Sequence, residues 1–85
     1  MQVEVRLPQW GMGMTDGTIV EWTKQVGDRV EEGEVLARVE AAKVEAELES
    51  PETGVLSEIR VEAGVTVGIY TALAVIETAG PEPGG

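Results

Sequence analysis

Two strand-like runs, Val35 to Val39 and Val44 to Leu48, are joined through Glu40-Ala41-Ala42-Lys43, a connection without Gly, Pro or Asn. The alternation on both sides leaves room only for a tight turn. With no residue suited to positive φ, a type I turn centred near Ala42 and Lys43 is expected. Such a turn holds the Lys43 amine away from the body on a short, rigid hairpin, which is what a covalently carried arm requires. A lysine on an exposed turn is by itself only a solubilising charge, so its surroundings must carry the argument. Glu45, Glu47 and Glu49 form one acidic face of the strand after it. That face either guards an outer strand against pairing or matches a basic partner.

Other chemistry is scarce. The chain has no His and no Cys, which removes the usual general base, the Ser-His and Cys-His nucleophiles, zinc-thiolate sites and disulfides. A domain that is not itself an enzyme is expected. Gly11-Met12-Gly13-Met14 has the wrong spacing for a phosphate-binding loop and no helix after it, so it reads as a flexible loop. Glu31, Glu32 and Glu34 lack the order of a calcium loop and read as a solvated turn.

The formal charge is −10, from 6 basic against 16 acidic residues. Arg6, Lys24, Arg29, Arg38, Lys43 and Arg60 are never adjacent, so neither nucleic acid nor an anionic membrane surface is an expected partner. No run approaches the roughly 20 apolar residues of a membrane span, and with no basic stretch followed by an apolar run after Met1 a secretory leader is not expected. A soluble protein of the cytoplasm, or of the mitochondrial matrix, is expected.

Apolar residues recur with a period of two, the mark of half-buried strands. Val3, Val5 and Leu7 alternate with Glu4 and Arg6. Thr18, Val20 and Trp22 are expected on one face around Ile19 and Glu21. Val35, Ala37 and Val39 alternate with Arg38 and Glu40, and Val44, Ala46 and Leu48 with the three glutamates. Val55, Ile59 and Val61 are expected together around Ser57, with Leu73 to Thr78 as a closing strand. A helix over Val35 to Glu52 suits the composition, but Val44, Ala46 and Leu48 would spread around it.

Shifting the chain by 37 places lays Gly17 on Gly54, Glu21 on Glu58, Gly27 on Gly64, Val30 on Val67, Leu36 on Leu73, Ala37 on Ala74 and Glu40 on Glu77. The repeat predicts two similar half-sheets related by an approximate twofold. The expected fold is therefore all-β: a flattened barrel or sandwich of two similar four-stranded sheets, a barrel-sandwich hybrid. At 85 residues one domain is expected, over 1–79, with the Pro- and Gly-rich residues 80–85 as the start of a linker or an artificial end.

Several stretches in the right order give a more specific reading. Leu7-Pro8-Gln9-Trp10-Gly11-Met12-Gly13-Met14 looks like a Pro-x-Leu-Gly-x-x-Met opening, and Asp16 to Trp22 like the strand after it. Val26-Gly27-Asp28-Arg29-Val30-Glu31-Glu32-Gly33-Glu34-Val35-Leu36 looks like Val-Gly-Asp-x-Val-x-x-Gly-Asp-x-Leu. Val39-Glu40-Ala41-Ala42-Lys43-Val44 falls on a modified hairpin, and Ser50-Pro51-Glu52-Thr53-Gly54 on an Ala-Pro-x-x-Gly turn. Together these resemble the lipoyl domains of 2-oxo acid dehydrogenase complexes, over about residues 2 to 77.

The resemblance implies that Lys43 carries covalent lipoate, attached by a separate lipoate ligase or lipoyl transferase that Glu40 and Gly27 help to recognise. It implies a carrier domain of the acyltransferase component of a 2-oxo acid or acetoin dehydrogenase complex, monomeric in isolation. A thiamine diphosphate enzyme would acylate its arm, the acyltransferase core would pass the acyl group to coenzyme A, and a flavoprotein would reoxidise the dithiol. Three positions depart from the pattern. Ala42 stands where Asp is usual, which touches the choice of attaching enzyme. Trp10 stands for a Leu in the loop beside the lysine, as a partner contact or a ring covering the barrel end. Tyr70 stands for a Gly, which implies a different local turn. The alternative is a biotin carboxyl carrier with biotin on Lys43, although Ala42 and Val44 replace the two flanking Met of that family. An unmodified assembly domain would show a lysine-free or buried hairpin.

Overall fold

Eight short strands, all antiparallel to their partners, fill two sheets in a computed structural model that describes residues 1–41 and 44–78. They are β1 (Gln2–Arg6), β2 (Asp16–Trp22), β3 (Arg29–Val30), β4 (Val35–Ala41), β5 (Val44–Glu49), β6 (Gly54–Ile59), β7 (Thr66–Gly68) and β8 (Ala72–Glu77). The all-β expectation holds, and no described residue is helical. The expected turn at Ala42 and Lys43 and the expected linker over 80–85 lie outside the described residues.

One sheet runs β1-β8-β6-β3 and the other β5-β4-β2-β7. A shift of 37 carries β2, β3 and β4 onto β6, β7 and β8, so these strands hold corresponding places in the two orders, with β1 and β5, which that shift does not superpose, completing the sheets beside β8 and β4. Backbone bonds repeat as well: Gly27 N–H donates to Leu56 O at 2.7 Å and Gly64 N–H to Ile19 O at 2.7 Å. The halves do not each close a sheet alone, however. β3 of the first half pairs with β6, and β7 of the second half with β2. Each half lends its shortest strand to the other, so neither can satisfy its backbone groups by itself.

The core lies between the sheets, where Leu7, Ile19, Val30, Leu36, Val39, Leu56, Leu73 and Ile76 are fully buried. Two expected strand faces are corrected here. In β2, Gly17 and Ile19 point inward and Val20 is 40 % exposed. In β6, Leu56 points inward and Val55 is 38 % exposed. The cause is a β-bulge at the same repeat position. Ile19 opposes Val39 but Glu21 opposes Arg38, and Leu56 opposes Ile76 but Glu58 opposes Val75. An extra residue resets the alternation and returns Trp22 and Ile59 to the core side, where the Trp22 indole N–H donates to Val61 O at 2.9 Å.

The turn at Tyr70 is also corrected: it is the Gly33 turn over again. Gly33 has φ 87° and Tyr70 φ 68°. Gly33 N–H donates to Ser50 O, and Tyr70 N–H to Leu7 O at 2.7 Å; Ser50 N–H returns a bond to Glu34 O, and Leu7 N–H to Thr71 O. Packing of the following strand therefore forces a tyrosine into the left-handed region. Tyr70→Gly is expected to raise stability by roughly 0.5–1 kcal/mol, from about 1–2 kcal/mol of relieved strain offset by ~0.5–1 kcal/mol of glycine entropy. A higher urea midpoint with an unchanged slope would register it.

Candidate functional site

The β4–β5 ladder runs from Val35↔Glu49 through Arg38↔Glu47, Val39↔Ala46 and Glu40↔Glu45 to Ala41↔Val44. That last pair leaves two residues in the connection, Ala42 and Lys43, both outside the described residues. Along the ladder the apolar face leaves the core step by step: Leu48 is buried, Ala46 half-buried and Val44 64 % exposed. β-Branched and alternating residues hold both strands extended, while the hairpin's end stands clear of the packed interior.

Antiparallel pairing of β2 with β4 sets Thr18 opposite Glu40, so the start of β2 and the loop before it lie at the hairpin's end. That loop is tied to itself. Gln9 Nε2 donates to Met14 O at 3.2 Å, Met14 N–H donates to Gly11 O, and Trp10 N–H donates to Met14 Sδ at 3.4 Å. Met14 is buried and Met12 fully exposed. The stretch expected as a flexible loop is thus a bonded turn, and Trp10 is 41 % exposed beside the hairpin.

Two depressions flank the hairpin. One, of about 170 Å³, is lined by Trp10, Gly11, Met12, Met14, Ala41, Val44 and Ala46, all uncharged. The other, of about 390 Å³, follows the seam between the sheet-edge strands β1 and β5 and includes Glu4, Arg6, Glu47 and Glu49. The structure therefore brings Trp10 to the residues flanking Lys43. Gly27 lies in the turn before β3, and its N–H donates to Leu56 O on β6, the strand that β3 pairs with. Glu40 is exposed next to Ala41.

Sequence reasoning noted the acidic face but missed its sharpest feature. Glu40 and Glu45 sit directly opposite one another on the rung beneath Ala41↔Val44. Like charges in cross-strand pairs destabilise by roughly 0.2–1 kcal/mol. Arg38, two rungs further from the turn, is engaged by Glu21 at 2.8 Å. The two-residue turn would have revealed this rung, since it fixes which residues oppose which.

Lys24, the other lysine, is held differently. Its ammonium meets Glu34 Oε2 at 2.8 Å, with its side chain 27 % exposed. Glu34 also accepts the N–H of Glu31, closing the turn read above as a solvated one. The hydrogen bond that Lys24 donates to Glu34 raises the Lys24 pKa, and the bonds Glu34 accepts from Lys24 and the Glu31 N–H lower that of Glu34. Glu4, bonded by Arg60 and Arg6, is lowered too. A lowered carboxyl contributes stability above its unfolded pKa and loses it as pH falls through the folded one. The raised lysine contributes below its unfolded pKa and loses it as pH rises through the higher folded value. Glu34→Gln is thus expected to flatten stability against pH below the ordinary carboxylate range, near 4.3, leaving the profile at neutral pH unchanged in shape, as unfolding curves between pH 3 and 7 would show.

Residues 3–76 match the family described as biotin-requiring enzyme. The chain is 45 % identical over 73 residues to the dihydrolipoyllysine-residue succinyltransferase component of the 2-oxoglutarate dehydrogenase complex of Staphylococcus saprophyticus, covering 86 % of this chain and 17 % of that one. It is 43 % identical over 76 residues to the dihydrolipoyllysine-residue acetyltransferase component of the acetoin cleaving system of Bacillus subtilis, covering 89 % and 19 %. Against the acetyltransferase component of the pyruvate dehydrogenase complex of Corynebacterium glutamicum it is 41 % identical over 83 residues, covering 98 % and 12 %. The chain thus spans less than a fifth of the length of each of these relatives.

Proposed function

This chain belongs to the biotinyl/lipoyl attachment family, and from that premise we propose that it is a non-catalytic lipoyl carrier domain of an acyltransferase component, modified on Lys43. The observation that carries the reading is the hairpin. Its ladder closes at Ala41↔Val44, outside the core, leaving a two-residue connection that contains a lysine. The matched relatives, whose names specify a dihydrolipoyllysine residue, support lipoate over biotin.

The residues here fit such a group. Ala41 and Val44 are uncharged, and the depression they border is apolar, which suits a hydrocarbon arm better than the acidic seam does. Lipoate amide-linked to the Lys43 amine supplies a dithiolane that takes up and hands on an acyl group. The chain contributes position. A hairpin braced by the β4–β5 and β2–β4 ladders directs the arm, and tethering gives it a high effective concentration at successive active sites. The proposed partners are a lipoate ligase or lipoyl transferase, a thiamine diphosphate enzyme, the acyltransferase core and a flavoprotein; a bacterial cytoplasm or mitochondrial matrix would supply all of them.

Glu40 and Gly27 are proposed recognition residues for the attaching enzyme, with Ala42 and Trp10 bearing on partner choice. The opposed Glu40–Glu45 rung supports Glu40, because a pairing unfavourable to stability is explained by use elsewhere. Glu40→Gln is expected to raise stability by a few tenths of a kcal/mol, within the ~0.2–1 kcal/mol of such a rung, and to slow lipoylation. Unfolding curves and timed mass spectra would separate the two effects.

The decisive measurement is the intact mass of the protein made in cells supplied with lipoate and biotin, followed by peptide mapping. A lipoyl increment on the peptide containing Lys43 is expected. A biotin increment would move the domain to the carboxyl carriers, and an unmodified mass under both supplements would overturn the carrier reading.

A further inference from the structure

We propose that the uncharged depression beside the hairpin is a parking seat for the dithiolane end of the domain's own arm, formed by Trp10, Met12, Met14, Ala41, Val44 and Ala46. The inference rests on the lipoyl reading above and adds a resting place for the ring.

The seat's position favours this occupant. Ala41 and Val44, the residues on either side of the Ala42-Lys43 connection, both line it, so the chain enters and leaves that connection at the seat. Charge favours it too. In a chain of net charge −10 the described residues that line this depression include no ionisable side chain, whereas the larger one along β1 and β5 has acidic residues and Arg6 in its wall. A neutral, sulfur-containing ring gains from the first and loses hydration for little return in the second.

Size and surface chemistry agree. The volume of about 170 Å³ compares with the ~150 Å³ apolar cavity that accepts a benzene ring, so a five-membered ring fits. Two thioethers and an indole supply soft, polarisable contacts for a disulfide. The wall exists before anything binds: Met14 is buried, its Sδ accepts the Trp10 N–H and its N–H bonds to Gly11 O. Met12, fully exposed, and Trp10, 41 % exposed, present the apolar surface that a seated ring would cover.

A parked ring is withheld from solvent and from chance thiols, and partners that grip the Trp10 loop would release it. Trp10 and Met12 are thereby assigned a positioning role toward the arm.

The test uses the intact, lipoylated protein, dilute and without partners, its modification first verified by mass. A disulfide in contact with an indole quenches its emission. Lipoylation is therefore expected to lower tryptophan emission, and reduction of the ring with a phosphine is expected to change it again. The loss should vanish in Trp10→Leu, where only Trp22 emits, and in Met12→Glu and Ala46→Glu, which put a carboxylate in the seat. Met12 is fully exposed, so its replacement leaves the fold intact. Nuclear Overhauser contacts from the ring protons to the Trp10 indole and the Met12 methyl would support the seat directly. A lipoylated protein with unchanged emission and no such contacts overturns the parking seat while sparing the carrier reading. Contacts that appear only after a partner enzyme is added would assign the surface to that partner and overturn it equally. A chain that takes no lipoyl group at all overturns both.

Discussion

Lys43→Ala is expected to abolish the lipoylation proposed for this chain, while leaving the unfolding midpoint within experimental scatter of the parent. The loss is total because acyl attachment needs a primary amine, and the second lysine is a poor substitute. Lys24 is largely covered and ion-paired to Glu34 at 2.8 Å. That bond raises its pKa, so less of it is in the nucleophilic neutral form. The fold should survive because the hairpin ends outside the core. Ala41 is half-buried and Val44 64 % exposed, and substitutions away from packed or bonded groups change stability by about 0.5 kcal/mol at most. Mass spectrometry of Lys43→Ala and Lys24→Met, each beside a thermal unfolding curve, checks both halves. An increment that persists in Lys43→Ala and disappears in Lys24→Met would reverse the assignment.

Gly54→Ala is the second large effect, on stability rather than modification. Gly54 and Gly17 occupy the same place in the repeat, each buried at the start of a sheet strand, yet they differ in what a methyl group would meet. At Gly17 a Cβ would lie 3.0 Å from Val39 Cγ1 and 3.3 Å from Leu7 Cδ2, both side-chain methyls that can shift. At Gly54 it would press on the backbone carbonyl of Glu77 and lie 2.9 Å from Ile76 Cγ2. Glu77 is fixed on β8 between Gln2 and Val55, so the backbone cannot yield without opening two ladders. Overpacking costs about 1–3 kcal/mol; Gly17→Ala is expected near the lower figure and Gly54→Ala at or above the upper. For a domain of this size ~3 kcal/mol corresponds to a fall in Tm of roughly 12–24 °C. Equal melting temperatures for the two variants would contradict the approach of β6 to β8 described here.

Much of the architecture was legible because alternation and turn residues are local signals. The inward residues of β1, of β5 and of the end of β4 were read directly: Val5, Val39 and Leu48 are buried and Glu45, Glu47 and Glu49 exposed, whereas at the start of β4 a register shift between Val35 and Ala37 buries Leu36 and leaves Val35 half-buried. The faces of β2 and β6 were misread for a common cause. A bulge needs no special residue type, and at Val20 and Ser57 nothing in the sequence marks it. Only the pairing with β4 and β8 exposes the extra residue. Tyr70 misled in the other direction: a missing glycine suggested a different turn, but the bonds to Leu7 hold the same turn in spite of the strain.

At the site, the sequence supplied Lys43, its hairpin and the acidic strand beside it. It left Trp10 between two roles, one a contact and one a cover. The structure puts the indole in the wall of an uncharged depression shared with Met12 and Ala46, residues that carry no chemical signal of their own. The opposed Glu40 and Glu45 emerge the same way, from register.

The sequence by itself determined the class of this protein: an all-β repeat without His or Cys, with a lysine in the short connection between two strand-like runs, because periodicity, composition and turn chemistry act over a few neighbouring residues. The tertiary structure alone decided the exchange of β3 and β7 between the halves, the two bulges, the unequal surroundings of Gly17 and Gly54, and the depression beside the hairpin. Those features join residues far apart in the chain, and which of them meet is set by packing and hydrogen bonding of the whole core rather than by any local preference.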